Sequence, residues 1–498
     1  MSMTVNLVRR GFFLDSVALM RISRTVAELP NIEDAALMMG TPSNKQIMRD
    51  AGLLTDDGEA AVGGDLVLGV RGADTAATDA AIAAAAELLD APKHSADDGT
   101  VWWPRSLRAA VAAKPDRNFA IISVPGDFAA AEARKALKHG LNVMIFSDNV
   151  PIEEEVSLKA EAQDRGLLLL GPDCGTAIIG GVPLAFANVV RSGDVGVIGA
   201  SGTGIQEVTS LIDRAGGGIS HAIGVGGRDL SAEVGARTTL TAIDALERDV
   251  STRHIVIISK PPDPQVVSKV VSRIRESSKT FTVCLIGGGA IELPDNAEQV
   301  DTLKGAAAIA VPKATIFDWD TQKNARPLPA GQTLIRGLFS GGTLASEAQL
   351  ILHTAGEKVA SNAPLPGVAP LAADAAQMHT IIDLGSDEFT RGRPHPMIDP
   401  SVRDDVLRET LKEPNAGLVL LDLVLGHGAH SDPAGHIAQC VNDAGANRPL
   451  IIASVTGTSR DPQNRATQIA ALEAAGVIIA PTNADAAACA LACLKAGS

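Results

Sequence analysis

Three short stretches combine residue types and spacing that could hold an anion. They are residues 199–204 (GASGTG), 340–343 (SGGT) and 426–431 (GHGAHS). Each follows an apolar run and precedes a helical pattern. Glycine lets backbone N–H groups close on an oxyanion, and a helix start adds unpaired donors and a positive dipole end. In the first stretch Gly199, Ala200, Gly202 and Gly204 open the backbone, while Ser201 and Thr203 add hydroxyls. In the third, Gly426, Gly428 and Ala429 flank His427 and His430, either of which could donate to an anion or act as a general acid. The plainer alternative is a glycine that only closes a tight strand-to-helix turn. No stretch has the Gly-Lys-Ser/Thr of a phosphate loop or a clean dinucleotide fingerprint.

Further groups could complete such a site. Lys260 ends an apolar strand pattern before two prolines and could clamp a phosphate or carboxylate, or else lie along the surface. "RGRPHPMIDPSVR" sets Arg391, Arg393, His395 and Arg403 among three prolines, a loop suited to carboxylate or phosphate recognition or simply a solvated one. His427, His430, Asp432 and His436 fit no standard metal frame, so no metal is expected. Cys174 has no histidine beside it in sequence and reads as an inert buried thiol rather than a nucleophile.

These residues must be positioned by alternating strands and helices. From "FAIISV" onward, strands such as "NVMIFS", "VGVIG", "HIVIIS" and "TFTVCLIGGG" alternate with helices, the grammar of doubly wound parallel sheets. A second α/β unit runs through "LIRGLFSGGTLASEAQLIL", "GLVLLDLVLGHGAH" and "PLIIASVTG". The stretch from "ELPDNAEQVDTL" to "ARPLPAGQ" is loop-rich and joins the two. Before all this, strand, helix, strand, strand and an Ala-rich helix predict a small α+β domain of ferredoxin-like type. The expected domains are 1–112, 113–190, 191–325 and 326–498.

The 498 residues carry a net charge of −15, which argues against a nucleic-acid or anionic-membrane surface. Aromatics are only 3 %, against base stacking. Five scattered cysteines and the lack of any long apolar run predict a chain of the reducing cytoplasm.

"VPGDFAAAEARKAL", "LLLLGPDCGTAIIGG", "VGVIGASGTGIQEVTSLIDRAGGGISHAIGVGGRDLS" and "SKPP" resemble the α chain of succinyl-CoA synthetase and other NDP-forming acyl-CoA synthetases. "FSGGTLASEAQLIL", "IIDLG", "LVLLDLVLGHGA" and "IIASVTGTSRDPQNRATQIAALEAAGV" resemble the carboxyl-terminal domain of the β chain. That order, with "GFFLDSVALM", "MMGTPSNK" and "GRPHPMIDP", is similar to the FdrA family. The resemblance implies an α/β fold: succinyl-CoA synthetase-like Rossmann and flavodoxin-like domains with parallel sheets, plus the small amino-terminal α+β domain. It also implies that residues 199–204 and 426–431 oppose one another across a phosphoryl group.

Three features of the synthetases have no counterpart here. The phosphorylated His of a Gly-His-Ala-Gly loop falls in "LIGGGAIELPDNAEQV", which has no His. The CoA-phosphate loop and the nucleotide-binding ATP-grasp domain are missing as well, so no resident cofactor is carried over and CoA is not assigned. The resemblance points to an FdrA-type subunit of oxamate carbamoyltransferase in anaerobic purine and allantoin breakdown, working on phosphate or carbamoyl phosphate with companion subunits in an oligomer. Ser201, Thr203 and His427 or His430 would hold phosphate, and Lys260, Arg391, Arg393 and His395 the second substrate. The alternatives are an NDP-forming acyl-CoA synthetase of the succinate–CoA ligase type and a non-catalytic scaffold.

Overall fold

Alternation in the first ninety residues produces a sheet with two covered faces. Strands Met3–Arg9, Leu66–Gly72 and Ile32–Met39 pair antiparallel in that order. Leu37, Met39, Leu66, Leu68 and Val70 point to helices Ser16–Ala27 and Thr75–Asp90, packing with Leu19, Val26, Ala81 and Ala85. Ala36 and Val67 point the other way, to Met48 and Leu53. Met48 lies on helix Pro42–Asp50, an element hidden within "MMGTPSNK": Thr41 accepts from Asn44 N and Pro42 supplies a fixed φ at the start. Strands Phe119–Ile122 and Asn142–Ile145 then pair in parallel. Helix Gly126–Lys138 carries a buried Ala129, Ala133, Ala136 and Leu137 stripe.

This computed structural model describes residues 2–14, 16–90, 104, 106–312, 318–329, 331–372, 377–390 and 394–496. They divide into two compact units, one within residues 1–167 and the other within residues 168–390 and 395–498.

The second unit holds two seven-stranded sheets. The first runs Ala297–Val300, Thr280–Leu285, His254–Ser259, Ser192–Gly199 and Ile219–Gly224, all parallel. An antiparallel hairpin, Thr176–Ile179 with Val182–Ala185, closes its edge. The second sheet is parallel throughout: Ala369–Pro370, Val359–Ser361, His379–Asp383, Leu334–Phe339, Ala416–Val424, Leu450–Thr456 and Ile478–Ala480. The expected α/β class with parallel sheets is thus the observed one.

The joining stretch is more ordered than its composition suggests. Residues 297–300 add an edge strand, and Leu303–Ala310 is a helix whose Thr302 cap accepts from Gly305 N at 3.0 Å. Leu303, Ala306 and Ala307 share one core with Val208 and Leu211 on one side and Leu344, Ala345 and Ala348 on the other. Burial against the first sheet and the helices around it, rather than local propensity, holds this helix.

Helix Gly202–Arg214 lies inside that core and is buried on nearly every side. Its sequence shows an amphipathic stripe, so its polar side chains need partners. Gln206 Nε2 donates to Asn188 Oδ1 at 3.2 Å and Leu425 O at 3.1 Å. Glu207 accepts from Asn483 N at 3.2 Å and from the Thr456 hydroxyl. Asp213 accepts from Arg191 N at 2.8 Å and pairs with Arg460. Each would otherwise be a buried polar group left without a partner.

Candidate functional site

The strand Ser192–Gly199 is central to its sheet, and the chain winds away from it in both directions. Ligands in open α/β sheets sit at such reversals, beyond the carboxyl ends of the strands. Ser201 follows this strand, and Lys260 follows its neighbour His254–Ser259.

Ser201 is the cap of helix Gly202–Arg214. Its Oγ accepts from Gly204 N at 3.0 Å and shares a short hydrogen bond with Thr343 Oγ1. Thr343 stands at the start of helix Gly342–Thr354, which follows strand Leu334–Phe339. The two helix starts therefore meet. A Cβ on Gly341 would lie 3.0 Å from Thr203 Cβ, and one on Gly204 would lie 3.2 Å from Thr343 Cγ2. The pairing differs from the one the resemblance implies: the turn facing residues 202–204 is 340–343.

The turn 426–431 has other partners. Gly426 has a φ of +119°, and a Cβ there would strike Ala187 O at 2.7 Å, so the position is restricted to glycine. His427 N donates to Ala187 O at 2.9 Å, and the His427 side chain is exposed. Gly428 packs against Phe186, while Gln463 Nε2 donates to Gly426 O at 3.0 Å and reaches Ala429 O at 3.3 Å. His430 meets His436 edge-on, ring centroids 4.8 Å apart, and His436 Nδ1 pairs with Asp404 at 2.7 Å. Helix Pro433–Asp443 begins only after this turn, and its Asp432 cap already takes Gly435 N at 3.1 Å. A carboxylate of the chain itself thus stands where an external anion would go.

The turn 340–343 also holds an internal anion. Asp422, in the middle of the apolar strand Ala416–Val424, accepts from Ser340 N and Gly341 N, both at 2.7 Å. Burial pushes its carboxyl up to about 6, against the pull of Arg403 and those two amides. Arg403 is buried and donates to Asp422 O at 2.9 Å and Ser340 Oγ at 3.2 Å. The amides of Gly342 and Thr343, in the first turn of their helix, come next along the chain, opposite those of Gly202 and Thr203.

Beside Gly342 lies a mixed pair of charges. A Cβ on Gly342 would fall 2.5 Å from Asp383 Oδ2 and 3.5 Å from Lys260 Nζ. Asp383 is buried, and its Oδ1 accepts from Gly385 N at 2.9 Å. Burial raises its carboxyl above the ordinary range, while Lys260 and the Gly385 amide pull it down.

His395 approaches the same corner. Its Nδ1 accepts from Met397 N at 3.2 Å, and its Nε2 would lie 2.6 Å from a Cβ on Gly385. Burial lowers it to about 4, so it is neutral near pH 7 and recognises no carboxylate by charge. Arg391 and Arg393 lie outside the described residues. Cys174 is buried and donates to Gly224 O at 3.3 Å, as an inert thiol would. Sequence reading missed Asp383 and Asp422. Their signal was an aspartate inside the apolar runs "HTIID" and "GLVLLDLVL", a charge that burial tolerates only with fixed partners.

Family models match the chain in three places. A CoA-ligase model covers residues 338–493, a CoA binding domain residues 190–286, and an AllF heavy metal-associated domain residues 1–101. Together these describe a CoA-binding-type and a CoA-ligase-type region behind an AllF-type amino-terminal domain. The chain belongs to the family of the uncharacterized protein YahF of Escherichia coli (strain K12), with 39% identity over 499 residues and 96% of each chain covered.

The α subunit of succinate–CoA ligase [ADP-forming] from Methanothermobacter thermautotrophicus is 29% identical over 181 residues, 35% of this chain and 59% of that one. The ADP-forming sulfoacetate-CoA ligase subunit SauD of Bilophila wadsworthia is 28% identical, over 31% of this chain and 54% of that one. The apo dinucleotide-forming acetyl-coenzyme A synthetase 1 of Ca. Korarchaeum cryptofilum is similar at 18% identity and a TM-score of 0.31, covering 78% of this chain and 85% of that one. Residues 1–101 contain no cysteine, and the described residues include no cluster of three or more His, Cys, Asp or Glu able to hold a metal ion. The described residues of the amino-terminal domain therefore offer no donor set for a heavy metal. No helix among the described residues is long and apolar enough to cross a membrane.

Proposed function

We propose that this chain exchanges an acyl group with phosphate, the acyl-phosphate half of CoA-ligase chemistry. The phosphate would lie where helices Gly202–Arg214 and Gly342–Thr354 begin against each other. The meeting of those two starts, joined by the Ser201–Thr343 hydrogen bond and flanked by Lys260, is the observation that carries this reading. First-turn amides from both helices would stabilise the phosphate and the oxyanion that forms when it attacks a carbonyl. Holding the two reactants together supplies much of the remaining acceleration.

The specific reading is an FdrA-type carbamoyltransferase subunit that interconverts oxalurate plus phosphate with oxamate plus carbamoyl phosphate, alongside companion subunits. The AllF-type amino-terminal match and the absence of histidine from residues 286–300 favour it. The CoA-binding and CoA-ligase matches favour the second reading, an ADP-forming acyl-CoA ligase.

The two separate in one experiment. Purified chain, alone and with candidate companion subunits, is incubated with carbamoyl phosphate and oxamate, and in parallel with labelled ATP. Oxalurate formation supports the transferase, and acid-labile phosphate on the protein supports the ligase. The Ser201→Ala, Thr203→Ala double variant should weaken phosphate binding by a few kcal/mol at most, roughly 1 per hydrogen bond lost. Unchanged saturation by phosphate would remove both residues from the site.

A further inference from the structure

Acyl exchange with phosphate has a proton to move. Phosphate enters as a hydrogen phosphate, its attacking oxygen bonds to the carbonyl carbon, and the C–N or C–S bond breaks with its electron pair going to nitrogen or sulfur. The phosphate has then given up the proton that the leaving atom must gain. The balance is the same for a carbamoyl or a thioester donor. It calls for a group beside the phosphate that can hold a proton briefly.

We propose that Asp383 is that group. The inference rests on the phosphate position proposed above. Asp383 ends strand His379–Asp383, and its Oδ2 lies at Gly342, the first residue of one of the two facing helices. Its Oδ1 is fixed by Gly385 N, and its backbone by Asn362, which accepts from Asp383 N at 2.9 Å and donates to Asp383 O at 2.9 Å. One oxygen is therefore held and the other faces the helix start.

Charged and titratable groups approach from each neighbouring element. Lys260 comes from the first sheet, Asp422 from strand Ala416–Val424 with Arg403 behind it, and His395 from the segment beyond. Asp422 is held by two amides with Arg403 behind it and His395 is neutral, whereas Asp383 Oδ2 and Lys260 Nζ lie at Gly342, where the anion would arrive. An ionised Asp383 would repel it and a protonated one would donate to it. Anion and proton should therefore bind together, and with hydrogen phosphate the proton comes from the ligand itself.

Sulfate tests this directly, because it is tetrahedral and has no proton to give near neutrality. Calorimetry at pH 6 and pH 8, in buffers of different ionisation enthalpy, reads sulfate affinity and proton uptake together. The wild-type chain should take up a proton with sulfate and lose affinity from pH 6 to pH 8. Asp383→Asn should lose the uptake and bind sulfate at pH 8 more tightly than the wild type does. Lys260→Met should weaken binding at both pH values and keep the uptake. Sulfate binding that is independent of pH in the wild type, or proton uptake that survives in Asp383→Asn, overturns the role of Asp383 and leaves the phosphate site standing. Failure of the wild type to bind sulfate or phosphate at either pH overturns both.

Discussion

Helices Gly202–Arg214 and Gly342–Thr354 open with the same Gly-Thr pair, and each buries a glutamate at its sixth residue, Glu207 and Glu347. Their first turns are secured in different ways. The first helix has its own cap, since Ser201 takes the Gly204 amide. The second has Gly341 at the cap position and no side-chain cap, and its turn is held by Asp422 from another strand. One start is a local product of its sequence and the other a tertiary one. The difference also separates their surroundings: the borrowed carboxylate brings Arg403 into the core behind the second turn.

Asp422→Ala breaks this contrast most severely. It strands two amides and leaves the buried Arg403 without its carboxylate, for a loss of about 3–5 kcal/mol by denaturant unfolding. A loss below about 1 kcal/mol would mean that the second turn is as self-sufficient as the first.

Glu347 comes next. Burial, helped by Glu207 and Asp485, raises it to about 7 despite hydrogen bonds from Asn483 and Leu303 N. The folded chain then holds more protons than the unfolded chain between the ordinary glutamate range and pH 7. Stability must fall as pH rises through that window and stay lower above it, by on the order of 1–3 kcal/mol. Glu347→Gln should flatten that slope in unfolding measured from pH 5 to pH 8. Ser201→Ala is the smallest test, costing about 1 kcal/mol for a lost cap. A cost equal to that of Asp422→Ala would erase the distinction between local and borrowed caps.

Much of the site was legible before any fold was known. The turn 199–204 was visible as glycines and hydroxyls between an apolar strand and a helix, and Lys260 as a cation at a strand end. Both lie at the facing helix starts. The turn 340–343 was visible too, but its partnership with 199–204 was not, because nothing within either stretch encodes which turn of a distant domain it meets. The histidines of 426–431 drew attention by their chemistry. Asp432 caps the helix that follows them, and a sequence pattern does not weigh an internal carboxylate against an external ligand. The helix Leu303–Ala310 lies in a stretch whose composition reads as loop, because its stabilisation comes from the first sheet and neighbouring helices that pack on it from outside.

By itself the sequence determined the parallel α/β class, the small amino-terminal α+β domain and the places where helices start at small-residue turns, since strand alternation, apolar runs and capping act over a few neighbouring residues. Only the tertiary structure decided which helix starts face each other, which turn is filled by Asp422 and which carboxylate lies open beside Gly342. Those outcomes depend on electrostatics and desolvation between residues from about forty to more than a hundred positions apart, which no local pattern contains.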